Sequence, residues 1–402
     1  MRLLFLTSRL PYPPNRGDRL RVFNFIRELS REHEITLLSF VADASETAQI
    51  AGLRPYCHDI HLVPMSRARS MAAAATGLWR REPLQALYYR SAEMQRAVDA
   101  LVAQRAFDLL YVHLFRMAPY ALPHRDLYRV LDLTDVISTE IERSLPYHDW
   151  RWRAIYRREL PRIRRYEPAM AQQFDETWVI SAAEKAALAA SGAAGRVVVV
   201  PNGVDSVRFR PLGLAREPAT LLFVGHMGVA HNEDAAEFLA RDLLPLVQAA
   251  LPDARLNLVG ADPSNRVQQL VRLPGVTVAG HVPDLNAALN RATVFVAPLR
   301  FAAGVQNKVL EAMAAGTPVV TTPMVNDGLA AADGRHLLLA DEPAALAAAT
   351  VSLLTDPQRR DALARAAREF VVEGFRWDAV TRRLAAVESE PAFRDERPGT
   401  TV

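Results

Sequence analysis

Cysteine is almost missing from this chain: Cys57 is the one thiol in 402 residues. That excludes an intramolecular disulfide framework and a cysteine-rich metal site. An excess of one charge is missing too, because 48 Lys and Arg face 45 Asp and Glu, a formal net charge of +3. Bulk charge therefore gives no case for nucleic acid as a partner, and no zinc-knuckle or aromatic RNA-binding motif is present. No stretch approaches the ~18 consecutive apolar residues that a membrane-spanning helix needs. Met1-Arg2 leads straight into an apolar run without the pattern of a secretory signal, so a cytoplasmic protein is expected. No G-x-G-x-x-G follows an early strand, which argues against a dinucleotide oxidoreductase. Short repeats and low-complexity tracts are also absent, and the alanine-rich segments 235–250 and 344–349 read as helix formers.

What is present is an apolar half, 50% of the residues, enough for two cores on the length prior. Short β-rich runs alternate with helical patterns, which predicts a parallel α/β architecture. Strands are expected at 2–8, 34–40, 59–64, 108–113, 128–131, 176–180 and 197–200, and the pattern restarts at 220–224, 255–259, 276–279, 294–297, 318–321 and 336–339. Between the two series, PNGVDSVRFRPLGLAREP supplies Pro and Gly with little periodicity, as a domain junction would.

The richest stretch is ATVFVAPLRFAAGVQNKVLEAMAAGTPVVTT, residues 292–322. It reads as a buried strand, a loop with Gly304 and Val305, a helix carrying Lys308 and Glu311, a Gly316 C-cap and a second strand. That order brings backbone N–H groups and a helix N-terminus to the carboxyl edge of a parallel sheet, where anions bind. The macrodipole disfavours Lys308 in the first turns unless an anion accompanies it. Glu311 follows on the same face and can accept hydrogen bonds from a ribose.

Residues 308–320, KVLEAMAAGTPVV, resemble the nucleotide-sugar signature of GT-B glycosyltransferases, within them the retaining group 1 enzymes, or glycosyltransferase family 4. The likeness extends to VPNGVD at 200–205 with Phe209 and Pro211, to FVG at 223–225 and to GHVPD at 280–284. The N-terminal LLFLTSRLPYPPNRGDRLR is similar to a subgroup found with bacterial exopolysaccharide and exosortase (PEP-CTERM) loci. The resemblance implies two Rossmann-like domains with parallel sheets facing a central cleft: an acceptor-binding domain at 1–205 and a nucleotide-sugar domain at 206–372. A crossover helix at 373–390 would return to the first domain, and the polar tail 391–402 is expected to be disordered. The implied activity moves a sugar from a nucleotide-diphosphate donor to a saccharide or lipid-linked acceptor, retaining configuration and using neither metal nor cofactor. A GT-B sugar-nucleotide 2-epimerase and a non-catalytic nucleotide-sugar-binding scaffold are the alternatives.

On the donor side the candidates are Gly17, Gly225, Gly304, Val305, Lys308 and Glu311. Two features depart from the resemblance. His231 and Asn232 stand where group 1 enzymes place an Arg and a Lys that clamp the pyrophosphate, and Ala303 replaces the first glutamate of the usual pair. Gly17 either faces a ligand or belongs to a rigid βα loop that Asp18 caps; Arg16 and Arg19 beside it are weaker acceptor-side candidates. His113 and Asp132 are the catalytic candidates. His113 ends a strand near the implied position of the transferred sugar, or simply bonds to backbone. Asp132 and Asp135 follow the next strand, where they would meet acceptor hydroxyls or, for Asp135, cap the helix near Val136. Asp284 reads as the N-cap of a helix from Leu285. Two segments, 66–90 and 150–165, are basic and aromatic, and suit either an anionic membrane surface or a solvated helix face paired with Glu159 and Glu167. Peripheral placement on the inner face of the plasma membrane would follow from the first.

Overall fold

The computed structural model describes residues 1–14, 17–301 and 304–387, with backbone alone for Ala44, Leu78 and 383–387. Arg16, Ala303 and the expected disordered tail lie outside the described residues. The chain divides into two compact units, residues 1–200 joined by the chain from 380 onward, and residues 201–379.

The first unit is built on strands β1 (Arg2–Thr7), β2 (Glu34–Val41), β3 (Asp59–Pro64), β4 (Leu109–His113), β5 (Tyr128–Thr134), β6 (Glu176–Val179) and β7 (Val197–Val199). Their order is β3-β2-β1-β4-β5-β6-β7, with every neighbour parallel. Helices cover both faces of such a sheet, so its central strands read as continuous apolar runs; Leu3, Leu4, Phe5 and Leu6 are all 0% exposed. The helix Gly17–Leu29 follows β1 and buries Val22, Phe23, Phe25, Ile26 and Leu29 against it.

The second unit repeats the plan with β8 (Thr220–Val224), β9 (Arg255–Val259), β10 (Val276–Ala279), β11 (Val294–Ala297), β12 (Val319–Thr321) and β13 (Leu338–Leu339). Their order is β10-β9-β8-β11-β12-β13, again parallel throughout. In each sheet the winding reverses once, between β1 and β4 and between β8 and β11. Crevices that hold ligands form outside the carboxyl ends of the strands at such switch points.

Every expected strand is present, and two differ from expectation by more than one residue. β13 shrinks to Leu338–Leu339, while β5 runs on through Thr134 and so draws Asp132 into the sheet. The second unit ends at Ala379, beyond the expected 372. Its last residues are pinned first: the Val204 N–H donates to Phe375 O at 2.6 Å, and a Cβ on Gly203 would lie 2.5 Å from Trp377 Cδ2. The helix Trp377–Val387 then carries the chain into the first unit.

Candidate donor site at the second switch point

β8 ends at Val224, and Gly225 opens a turn into the helix Ala230–Phe238. A side chain at 225 would displace Asn232, since its Cβ would sit 2.7 Å from Asn232 Cγ. The neighbouring strand β9 also needs glycine, because a Cβ on Gly260 would stand 1.6 Å from the Gly225 carbonyl oxygen. Asn232 is 4% exposed and donates from Nδ2 to His226 O at 3.0 Å. Its Oδ1 accepts from the Lys308 ammonium, which comes across from the β11 loop and lies 5.1 Å from the Phe223 ring centre.

The helix Asn307–Ala314 meets this turn with its N-terminus. Its cap residue, Gln306, makes no side-chain capping bond, and Asn307 Oδ1 is buried without a hydrogen-bond partner among the described residues. At the other end Thr317 N–H donates to Ala312 O at 2.9 Å and Gly316 N–H to Met313 O at 3.1 Å, with Gly316 at φ +76°. This is a Schellman closure, the expected C-cap. The preceding loop is held from behind: a Cβ on Gly328 would come within 2.8 Å of Gly304 O and 3.0 Å of Val305 N. Gly304 itself has φ +56°, a conformation that glycine adopts without strain.

Burial sets the charges here. It pushes Lys308 down to about 7 against the pull of Glu311, and pushes Glu311 up to about 7 against Arg208 and Lys308. His231 falls to about 3, from burial first and Lys308 second, so its imidazole is neutral at pH 7. The position of the family's clamp therefore offers a neutral ring and an amide that holds Lys308. Asp284 caps its helix as expected, accepting from Ala287 N–H at 2.9 Å.

The first switch point is arranged differently. His113 ends β4, 4% exposed, with Nε2 3.4 Å from Thr134 Oγ1, and burial lowers it to about 4. Asp132, expected as a catalytic candidate, lies inside the sheet. It is 0% exposed; Oδ2 accepts from Arg21 Nε at 2.6 Å and from the Tyr111 hydroxyl, while Oδ1 accepts from Thr134 N–H at 3.0 Å. A carboxylate so enclosed holds Thr134 beside His113. The expected capping role of Asp135 is corrected. The helix Ile137–Ser144 has Val136 as its cap residue, and distant carboxylates satisfy its first N–H groups. Glu184 accepts from Val136 at 2.5 Å, and Glu167 from Ile137 at 2.7 Å. Asp135 Oδ1 is buried without a hydrogen-bond partner among the described residues, and burial raises its carboxyl well above the usual range.

Gly17 opens its helix and Asp18 lies inside the first turn, not before it. Arg19 pairs with Glu46 at 2.8 Å. Sequence reasoning missed Arg21 and Tyr111, and named Asn232 only as a departure from the expected clamp. Arg21 sits on a helix beside the apolar stripe and four residues before Phe25, over whose ring its guanidinium stands at 4.6 Å; that spacing was its one available signal. In the basic aromatic segments Trp79, Trp150 and Trp152 are 88%, 72% and 51% exposed. Glu159 is taken by Arg162 and Leu84 N–H, and Glu167 by the helix it caps, so neither neutralises the arginines of 150–165 at large.

Residues 218–356 match the family described as glycosyl transferases group 1. The chain is 31% identical over 227 residues to a phosphatidyl-myo-inositol mannosyltransferase of Mycolicibacterium smegmatis, covering 51% of this chain and 58% of that one. It thus spans somewhat over half the length of this curated relative. Among solved structures it resembles sucrose-phosphate synthase from Thermosynechococcus elongatus, at TM-score 0.71 and 19% identity over 97% of this chain and 98% of that one. It also resembles Anabaena HepE in complex with UDP-glucose, at TM-score 0.67 and 17% identity over 97% and 99%. The chain therefore has the GT-B fold, and residues 218–356 of its second unit are similar to the group 1 glycosyl transferases.

Proposed function

We propose that this protein is a glycosyltransferase that moves a sugar from a nucleotide diphosphate to a saccharide acceptor. The observation that carries the reading is the Lys308 ammonium held by Asn232 beside the N-terminus of the helix Asn307–Ala314. A cation in a first helical turn is unfavourable alone and favourable with an anion between it and the amides. As the bond from the anomeric carbon to the diphosphate breaks, negative charge grows on the leaving oxygens. The helix dipole, the Gly304–Val305 backbone and Lys308 are preorganised to receive that charge. Glu311, one turn on, accepts from ribose hydroxyls and fixes the nucleoside. His113 stays neutral at pH 7, a state in which its ring can both donate and accept a hydrogen bond. No covalent nucleophile is assigned. The finer reading is a retaining, metal-independent reaction on a lipid-linked acceptor in bacterial polysaccharide or glycoconjugate synthesis. Exposed Trp79, Trp150 and Trp152 among arginines support peripheral contact with an anionic membrane.

The test is a panel of UDP-, GDP-, ADP- and dTDP-sugars, scored by thermal shift and by slow hydrolysis, with Lys308→Met and Glu311→Gln alongside. One nucleotide should stabilise the wild type, and both substitutions should weaken that effect. Stabilisation without turnover on any acceptor favours the non-catalytic scaffold, and appearance of the C2 epimer of the donor favours the epimerase. Indifference to every nucleotide would sink the donor-site reading.

A further inference from the structure

A second basic site lies wholly within the first unit. A cavity of about 790 Å³ opens beyond the carboxyl ends of β1 and β2, lined by four arginines, Arg9, Arg19, Arg67 and Arg116, and by one carboxylate, Glu46. That volume falls in the range of small-molecule sites, roughly 300–1,000 Å³. Glu46 is already engaged, accepting from Arg19 at 2.8 Å and from Ala42 N–H at 2.7 Å.

The arginines are held, but largely not by negative charge. Arg116 donates from Nε to Ser8 Oγ and from Nη1 to Gln85 Oε1, each at 3.1 Å, and its guanidinium stands 5.0 Å from the Tyr89 ring centre. All three partners are neutral, and Arg116 makes no ion pair among the described residues. Arg9 bonds the hydroxyl of the same tyrosine at 3.3 Å and reaches Asp18 only at 4.0 Å. Arg19 Nε is buried without a hydrogen-bond partner among the described residues. Two guanidinium groups are thus fixed on one tyrosine by neutral contacts, facing a cavity. The Arg9 side chain keeps 44% of its surface exposed, so the cost of an unpaired charge falls on Arg116, whose guanidinium burial desolvates; that charge calls for an anion from outside the chain. Planar guanidinium forks match phosphate oxygens in pairs.

We propose that this cavity binds the phosphate or diphosphate of a phosphorylated sugar, with Arg116 and Arg9 on the phosphate. The role of that ligand as acceptor rests on the transferase reading; the binding does not. The donor diphosphate has its own site in the second unit, so this is a second anion site on the chain. The phosphate can come from a soluble sugar phosphate or from a polyprenyl-diphosphate head group, because both offer the same oxygens.

The experiment is calorimetric titration of the full chain with inorganic pyrophosphate at saturating UDP, so that the donor site is filled. Arg116→Gln and Arg9→Gln should each weaken pyrophosphate about ten- to a hundredfold, the range for a charged hydrogen bond, and leave UDP affinity unchanged. Lys308→Met should do the reverse. Equal pyrophosphate affinity in wild type and both arginine variants overturns the proposal, as does absence of binding once UDP is bound. Pyrophosphate binding that depends on Arg116 in a chain indifferent to all four nucleotides of the panel would sink the transferase reading and keep this site. Competition by glucose 1-phosphate, set against phosphatidylcholine vesicles with and without a polyprenyl diphosphate, identifies the source. Melting temperatures of the Gln variants within a few degrees of wild type exclude unfolding as the cause.

Discussion

Replacing Arg21 with methionine would strand Asp132 as a buried carboxylate. Both side chains are 0% exposed, and the 2.6 Å bond between them is an ionic contact. The Tyr111 hydroxyl and the Thr134 N–H would remain. Breaking one side of a buried pair costs about 3–5 kcal/mol. The two surviving donors place this case near the lower end, about 3 kcal/mol, which is a large share of the roughly 5–15 kcal/mol that stabilises a domain. Trp178 supplies the assay: it is 1% exposed, with ring centres 5.9 Å from Tyr111 and 6.0 Å from Phe25, so its fluorescence reports this core. In a Trp377→Phe background, which silences the second unit, the urea midpoint should fall by about 1–2 M at ordinary slopes. Arg21→Met with Asp132→Leu should recover much of the loss, since an apolar pair leaves no uncompensated charge. A cost below about 1 kcal/mol for the single variant, or a double variant no better than it, would refute the reasoning.

The donor site should respond to pH. Lys308 loses its charge as pH rises through about 7, and Glu311 gains one in the same window, so both changes oppose a diphosphate. Affinity for the preferred nucleotide sugar should decline from pH 6 to 8.5 and flatten in Lys308→Arg, whose guanidinium stays charged; a flat wild-type profile sinks the assignment. Gly225→Ala should push Asn232 off Lys308, costing about 1–3 kcal/mol of stability and weakening the nucleotide sugar, read by melting and titration. Glu167, raised by burial from 4.5 to about 7, binds its proton more tightly folded than unfolded. Its stabilising share is full below about 4.5 and is lost as pH rises through about 7, so the stability gap between wild type and Glu167→Gln should shrink from pH 5 to 8. A gap that widens over that range would contradict the assignment.

Much of the donor half was readable from local pattern. Strand β11, the Gly304 loop, the helix with Lys308 and Glu311 and its Gly316 cap are consecutive in the chain, and each has a short-range signal in periodicity or glycine placement. The signature residues of 308–320 carried the family because one stretch holds the whole motif. The acceptor half was harder. Asp132 looked like a reactive carboxylate because a sequence shows residue type and position along a strand but not what arrives from 111 positions away; Arg21 does. Asp135 looked like a cap because sequence places it before a helix, whereas Glu184 and Glu167 reach in from later helices to do that work.

Alternation of apolar runs with helical periods determined the two parallel sheets, and residue chemistry within one stretch determined a helix start suited to an anion. Tertiary structure alone decided which charges are free to act. It buried Asp132 against Arg21, bound Lys308 to Asn232, and left Arg9 and Arg116 around one tyrosine with neutral contacts. The reason is range: secondary structure follows from interactions a few residues apart, while the state of a charge depends on every group that packs beside it once the chain has folded.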